Sequence, residues 1–83
     1  MFSVKIYIRL KEGLLDPQGK TIGSSLKALG YKEVSEVKVG KLIEINLSTK
    51  DRNDASKKIE EMCRKLLANP VIEVFEYKIE EPK

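Results

Sequence analysis

Few side chains in this sequence could do chemistry. It has one cysteine, Cys63, and no histidine in 83 residues. That excludes Ser-His-Asp and Cys-His nucleophilic sites, a histidine general base and almost every zinc site. Cys63 falls in an apolar stripe between Ile59 and Leu66, with no base in the chain to activate it, and reads as a small core residue. The acidic side chains Asp51, Asp54, Glu60 and Glu61 are spaced for helix capping and a solvated face, and no calcium-loop pattern is present. Glycines at 13, 19, 23, 30 and 40 follow neither a P-loop nor a dinucleotide-binding order. There remain Asp16, Pro17, Gln18 and Gly19, which lead into a helix. Its free amides, with Lys11, Lys20 and Lys41 nearby, could hold an anion shared with a partner.

The elements that must position these residues are legible from periodicity. Residues 2–10 place apolar side chains on every even position, the pattern of a strand with one buried face. Asp16 suits a helix cap and Pro17 the first helical position. Ile22, Leu26 and Leu29 then form one apolar stripe, and Gly30 offers the left-handed residue that ends many helices. Gly19 and Gly23 weaken the first turns by up to about 1 kcal/mol each, so this helix depends on docking.

Residues 34–47 are strand-like, with Val37, Val39, Ile43, Ile45 and Leu47 all on odd positions. A hairpin with a three-residue loop at Gly40, Lys41 and Leu42 keeps one face apolar, and one long strand bent at Gly40 preserves the same parity. The hairpin is the favoured reading. Asp51 caps a second helix, with Ala55, Ile59, Met62, Cys63, Leu66 and Leu67 as its apolar stripe and Asn69 with Pro70 as its stop. A last strand covers 71–79, leaving 80–83 as a frayed tail. The order β-α-β-β-α-β predicts an α+β two-layer sandwich, ferredoxin-like, with both helices on one face of an antiparallel sheet.

A 9.4 kDa chain without disulfide or metal ligands has a small private core, so association is the expected source of further stability. The last strand is apolar on both sides for part of its length, and Phe75 and Tyr77 are the expected self-association residues. Composition, at 41% hydrophobic and 35% charged, is that of a globular domain. No apolar run approaches a membrane span of about 20 residues. The alternating N-terminus is not a signal peptide, and the unpaired cysteine points to the cytoplasm. Net charge is +3 with the two signs interspersed, which argues against a nucleic-acid tail. The strand at 41–47 also lacks the aromatic residues of an RNA-recognition sheet. A regulatory small-ligand domain of the same architecture stays open.

Specific words in the sequence go further. Lys11-Glu12-Gly13 with Leu15-Asp16-Pro17-Gln18-Gly19, then Leu29-Gly30-Tyr31 and Glu36-Val37-Lys38-Val39-Gly40-Lys41, occur in a fixed order. They are followed by the run Met62-Cys63-Arg64-Lys65-Leu66-Leu67-Ala68-Asn69-Pro70-Val71-Ile72-Glu73. Together they resemble the small subunit of phosphoribosylformylglycinamidine synthase, the PurS family, over roughly residues 2 to 79. The resemblance implies a subunit of a purine-biosynthetic ligase that converts formylglycinamide ribonucleotide to its amidine with glutamine, ATP and Mg. It further implies that a large ligase subunit and a glutaminase subunit are the partners, and that this chain is a non-catalytic homodimer or homotetramer binding no cofactor alone. On the same resemblance the small subunit is expected to join the two larger ones and to support ammonia transfer. On that footing Asp16, Pro17, Gln18, Gly19, Gly40 and Lys41 are expected to face the larger subunits.

Overall fold

The computed structural model describes residues 1–81. Strand β1 (Phe2–Leu10) is central, flanked by β2 (Lys41–Leu47) and β3 (Glu73–Glu80), giving the antiparallel order β2-β1-β3. Alternation sets the register. Val4, Ile6 and Ile8 lie opposite Ile45, Ile43 and Lys41 on one side, and opposite Ile79, Tyr77 and Phe75 on the other. One apolar face results, with Val4, Ile6 and Ile8 fully buried at its centre. The other face carries Ser3, Lys5, Tyr7 and Arg9, as their odd positions require.

Helix α2 (Arg52–Met62) covers the apolar face. Asp51 caps it by accepting the Asn53 N–H at 3.0 Å, and Ala55 and Ile59 are buried beneath it. The helix then widens into a π-helical turn (Cys63–Leu67), closed by the Ala68 N–H donating to the Cys63 carbonyl at 2.9 Å. The wider turn shifts the buried stripe from Leu66 to Ala68. Leu66, expected in the core, is 82% exposed, whereas Cys63 and Ala68 are buried.

The α+β class and the antiparallel sheet with two helices stand as expected. Two details differ. No hairpin forms at 40–42: β2 begins at Lys41 opposite Ile8, and residues 34–40 precede it without pairing to any strand. The sheet of the described residues therefore has three strands, with residues 34–40 in the second strand's place in chain order but outside the ladder. The favoured hairpin thus gives way to a single run through Gly40, whose odd residues keep the parity expected of it. Gly40 is required there because a Cβ would come within 2.8 Å of the Ile8 carbonyl oxygen. Of the two helices, α2 is the one that enters the buried core of the described residues, through Ile59. Helix α1 (Pro17–Ala28) lies against residues 34–40 instead, leaving Ile22 43% and Leu29 74% exposed. β3 extends to Glu80, and the last two residues of the expected frayed tail, 82 and 83, lie outside the described residues.

The molecule is consequently a plate, 50 × 31 × 14 Å, with a radius of gyration of 16.5 Å. A compact chain of this length has about 12 Å. Its accessible surface of 6519 Å² compares with about 5,000 Å² for a compact monomer of this mass. Physically, one covering helix over a three-stranded sheet leaves much of β2, α1 and the segment between them without a second layer.

Candidate functional site

Apart from Lys41, the residues expected to face partners gather around one carboxylate. Asp16 Oδ1 accepts the Gly19 N–H at 2.9 Å, capping α1, while Oδ2 accepts the Val39 N–H at 2.7 Å. These two backbone bonds, the one from Val39 first, hold the Asp16 carboxyl below the usual carboxylate range. Pro17 takes the first helical position and Gln18 is exposed beside it. Gly19 is buried because the chain passes directly over it: a Cβ there would lie 2.0 Å from the Val37 carbonyl oxygen. Thus Asp16, Gly19 and Gly40, scattered in sequence, form one junction between α1, residues 37–40 and the end of β1.

Lys41 points elsewhere. Its Nζ lies 3.8 Å from Oε2 of Glu73, whose Oε1 accepts the Asn69 N–H at 2.7 Å. Lys41 therefore ties to the first residue of β3 rather than to the Asp16 junction.

Behind the junction a cleft of about 640 Å³ opens between α1 and residues 34–40. Lys11 and Lys20 line it as the sequence suggested, and Arg9, Lys27 and Lys38 join them. The signal for Lys27 was present in the sequence, since Lys20, Gly23, Ser24 and Lys27 repeat at helical spacing along one side of α1. Arg9 and Lys38 have acidic neighbours, Glu76 at 3.7 Å and Glu36 at 3.8 Å. Among the described residues Lys11, Lys20 and Lys27 have no ion-pair partner. The Gly19 amide that an anion would seek is already bonded to Asp16.

Phe75 and Tyr77 lie on the apolar, helix-bearing face and are half buried against the core. The Arg64 guanidinium sits 5.8 Å from the centre of the Phe75 ring. The Tyr77 hydroxyl donates to Glu60 Oε1 at 2.9 Å and lies 2.7 Å from Ser56 Oγ. The second apolar side of the last strand reduces to Ile72 and Val74 at one end, because Glu76, Lys78 and Glu80 follow on that face.

The remaining reactive types are occupied structurally. Burial pushes the Cys63 thiol up, with the Glu60 carboxylate adding to it, so the thiolate a nucleophile needs is disfavoured. Asp54 pairs with Lys58 at 3.2 Å and accepts the Thr49 hydroxyl at 3.0 Å, and these, Lys58 first, hold its carboxyl low. Among the described residues no three His, Cys, Asp or Glu side chains converge as metal ligands do, and no helix is long and apolar enough to cross a membrane.

This arrangement has close parallels. Residues 3–81 match the PurS family, described as phosphoribosylformylglycinamidine (FGAM) synthase. The phosphoribosylformylglycinamidine synthase subunit PurS of Bacillus subtilis is 46% identical over 81 residues, covering 98% of this chain and 95% of that protein. Its counterpart from Methanocaldococcus jannaschii is 42% identical over 80 residues, 96% of each chain. The solved B. subtilis PurS superposes with a TM-score of 0.89 over 98% of this chain and all of that one. A PurLQS structure from Thermotoga maritima matches at 27% identity with a TM-score of 0.86, covering 94% of this chain and 95% of that one. Sequence words, sheet order and overall geometry therefore agree, and the chain belongs to the PurS family, the subunit family of phosphoribosylformylglycinamidine synthase.

Proposed function

We propose that this chain is the non-catalytic connector of a cytoplasmic phosphoribosylformylglycinamidine synthase complex, joining a ligase subunit to a glutaminase subunit and supporting ammonia passage between them. The observation that carries this reading is the shape. A plate 14 Å thick, with about 1,500 Å² more surface than a compact chain of its mass would expose, suits a life between other surfaces. ATP and Mg fit the larger subunits better, since the three aspartates here, Asp16, Asp51 and Asp54, are engaged in capping and pairing. Ammonia released into water is protonated and lost, so its transfer needs a junction from which water is excluded. An inert spacer with surplus apolar surface can seal such a junction.

Two surfaces divide the work. The junction of Asp16, Pro17, Gln18 and Gly19 with Gly40, and Lys41 next to it, faces the larger subunits. A second copy packs on the helix-bearing side of the sheet, where Ile43, Ile45, Phe75, Tyr77 and Ile79 stay only half buried, giving a homodimer or homotetramer.

Reconstitution tests the connector role. Ligase and glutaminase subunits with this chain should turn over with glutamine, whereas without it turnover should persist only with added ammonium. Full glutamine-dependent turnover in its absence would reject the reading. Dilution with light scattering tests the second surface: a monomer at micromolar concentration, with Phe75→Asp changing nothing, would reject self-association there.

A further inference from the structure

The distribution of charge around the Asp16 junction is uneven in a way the fold does not need. The cleft between α1 and residues 34–40 is lined by Arg9, Lys11, Lys20, Lys27 and Lys38 against only Asp16 and Glu36. That surplus equals the +3 of the whole chain, so the rest of the sequence balances to neutrality. Lys11, Lys20 and Lys27 have no ion-pair partner among the described residues. They come from two separate elements, the loop after β1 and helix α1, yet line one groove. Leu14 and Leu15 border the same groove, exposed to water. Like charges brought together with exposed aliphatic side chains weaken an isolated chain, and that cost is offset when an oppositely charged partner covers them.

From this we propose that the cleft docks an acidic segment of a larger partner polypeptide, carrying aliphatic side chains among its carboxylates. The inference rests on the connector reading and adds the chemistry of the partner. A groove of about 640 Å³ has room for several side chains. A small free anion fits poorly, because the Gly19 amide is already satisfied by Asp16 and Lys20 and Lys27 stand about two helical turns, roughly 10 Å, apart along α1. The carboxylates of the segment would meet Lys11, Lys20 and Lys27, and its aliphatic side chains Leu14 and Leu15. Asp16 is a positioning residue here, since its bond to the Val39 N–H holds the two walls together.

The test uses the full chain with its ligase and glutaminase subunits. In the wild-type complex, acetylation of Lys11, Lys20 and Lys27 should be suppressed relative to the free chain, while Lys57 and Lys65 stay reactive. The triple variant Lys11→Glu, Lys20→Glu, Lys27→Glu should bind at least about tenfold more weakly at low salt. The equally charged control Lys57→Glu, Lys65→Glu, Lys78→Glu should bind within about threefold of wild type. Unchanged lysine reactivity in an intact wild-type complex would overturn the proposal while leaving the connector reading standing. So would equal losses in both triples, or protection of the three lysines by inorganic phosphate as complete as that given by the partners. Failure of the wild-type chain to bind either subunit would overturn both. The acetylation pattern needs no substitution and decides the matter even if the triple variant does not fold.

Discussion

Asp16 and Val39, 23 residues apart in sequence, are joined by a 2.7 Å hydrogen bond from the Val39 N–H to Oδ2. The same carboxylate caps α1 through Oδ1. One side chain therefore sets both the start of a helix and its position against residues 34–40. Because α1 makes no extensive contact with the sheet, few other interactions duplicate this one.

The Asp16 clasp should be sensitive to pH. Its carboxyl titrates below its ordinary value of 3.8 because the Val39 and Gly19 amides favour the charged form. Such a group adds stability that is fully present above that ordinary value and disappears as pH falls through the lower folded value. Melting temperature should thus fall as pH drops below about 4. Asp16→Asn should melt lower than wild type at pH 7 and lose part of that acid dependence. Amide exchange at Val39 and Gly19 should quicken in the variant at pH 7; unchanged exchange would refute the clasp.

Two glycines in α1 should respond oppositely to alanine. At Gly19 the new Cβ would meet the Val37 carbonyl oxygen at 2.0 Å, and overpacking of about 1–3 kcal/mol should exceed any gain in helix propensity. At Gly23 it would meet Val37 Cγ2 at 3.6 Å, an ordinary contact. Gly23→Ala should therefore stabilise by about 0.5–1 kcal/mol. Urea unfolding of the two variants at one protein concentration distinguishes them.

The π-helical turn predicts a contrast along α2 and its extension. Ile59 is fully buried, so Ile59→Ala should cost about 2–5 kcal/mol, enough to unfold much of so small a chain. Leu66 projects into solvent, and Leu66→Ala should change stability by less than about 0.5 kcal/mol. Comparable losses at both positions would mean that the stripe continues as a regular α-helix.

Cys63 should be slow to react. With its thiol buried and its pKa raised, labelling by an aromatic disulfide should be far slower in the native chain than in urea. Cys63→Ala should leave glutamine-dependent turnover of the reconstituted complex intact. Loss of turnover with the fold preserved would give this thiol a chemical role.

Sequence periodicity revealed β1 in full, because Phe2, Val4, Ile6 and Ile8 alternate without exception. The caps at Asp16 and Asp51 were equally legible, since a carboxylate beside free amides has one local use. Residues 34–40 misled because Val37 and Val39 alternate like a strand, yet they meet α1 rather than a neighbouring strand. Leu66 misled because helical spacing assumes a constant turn, and one i→i+5 bond at Ala68 breaks it. At the site, Asp16, Gly19 and Gly40 were visible one by one. Their meeting was not, because it depends on a hydrogen bond between distant segments.

A sheet of only three strands among the described residues, with β2 and β3 both presenting open edges there, ties folding to abundance. Any neighbour that buried those margins would stabilise the native form, by an amount that grows with the logarithm of its concentration. Thermal midpoints of the isolated polypeptide should accordingly climb with its own concentration. A cell making it in excess of the partners proposed for it would carry a larger unfolded fraction, open to proteolysis, than one producing them in step.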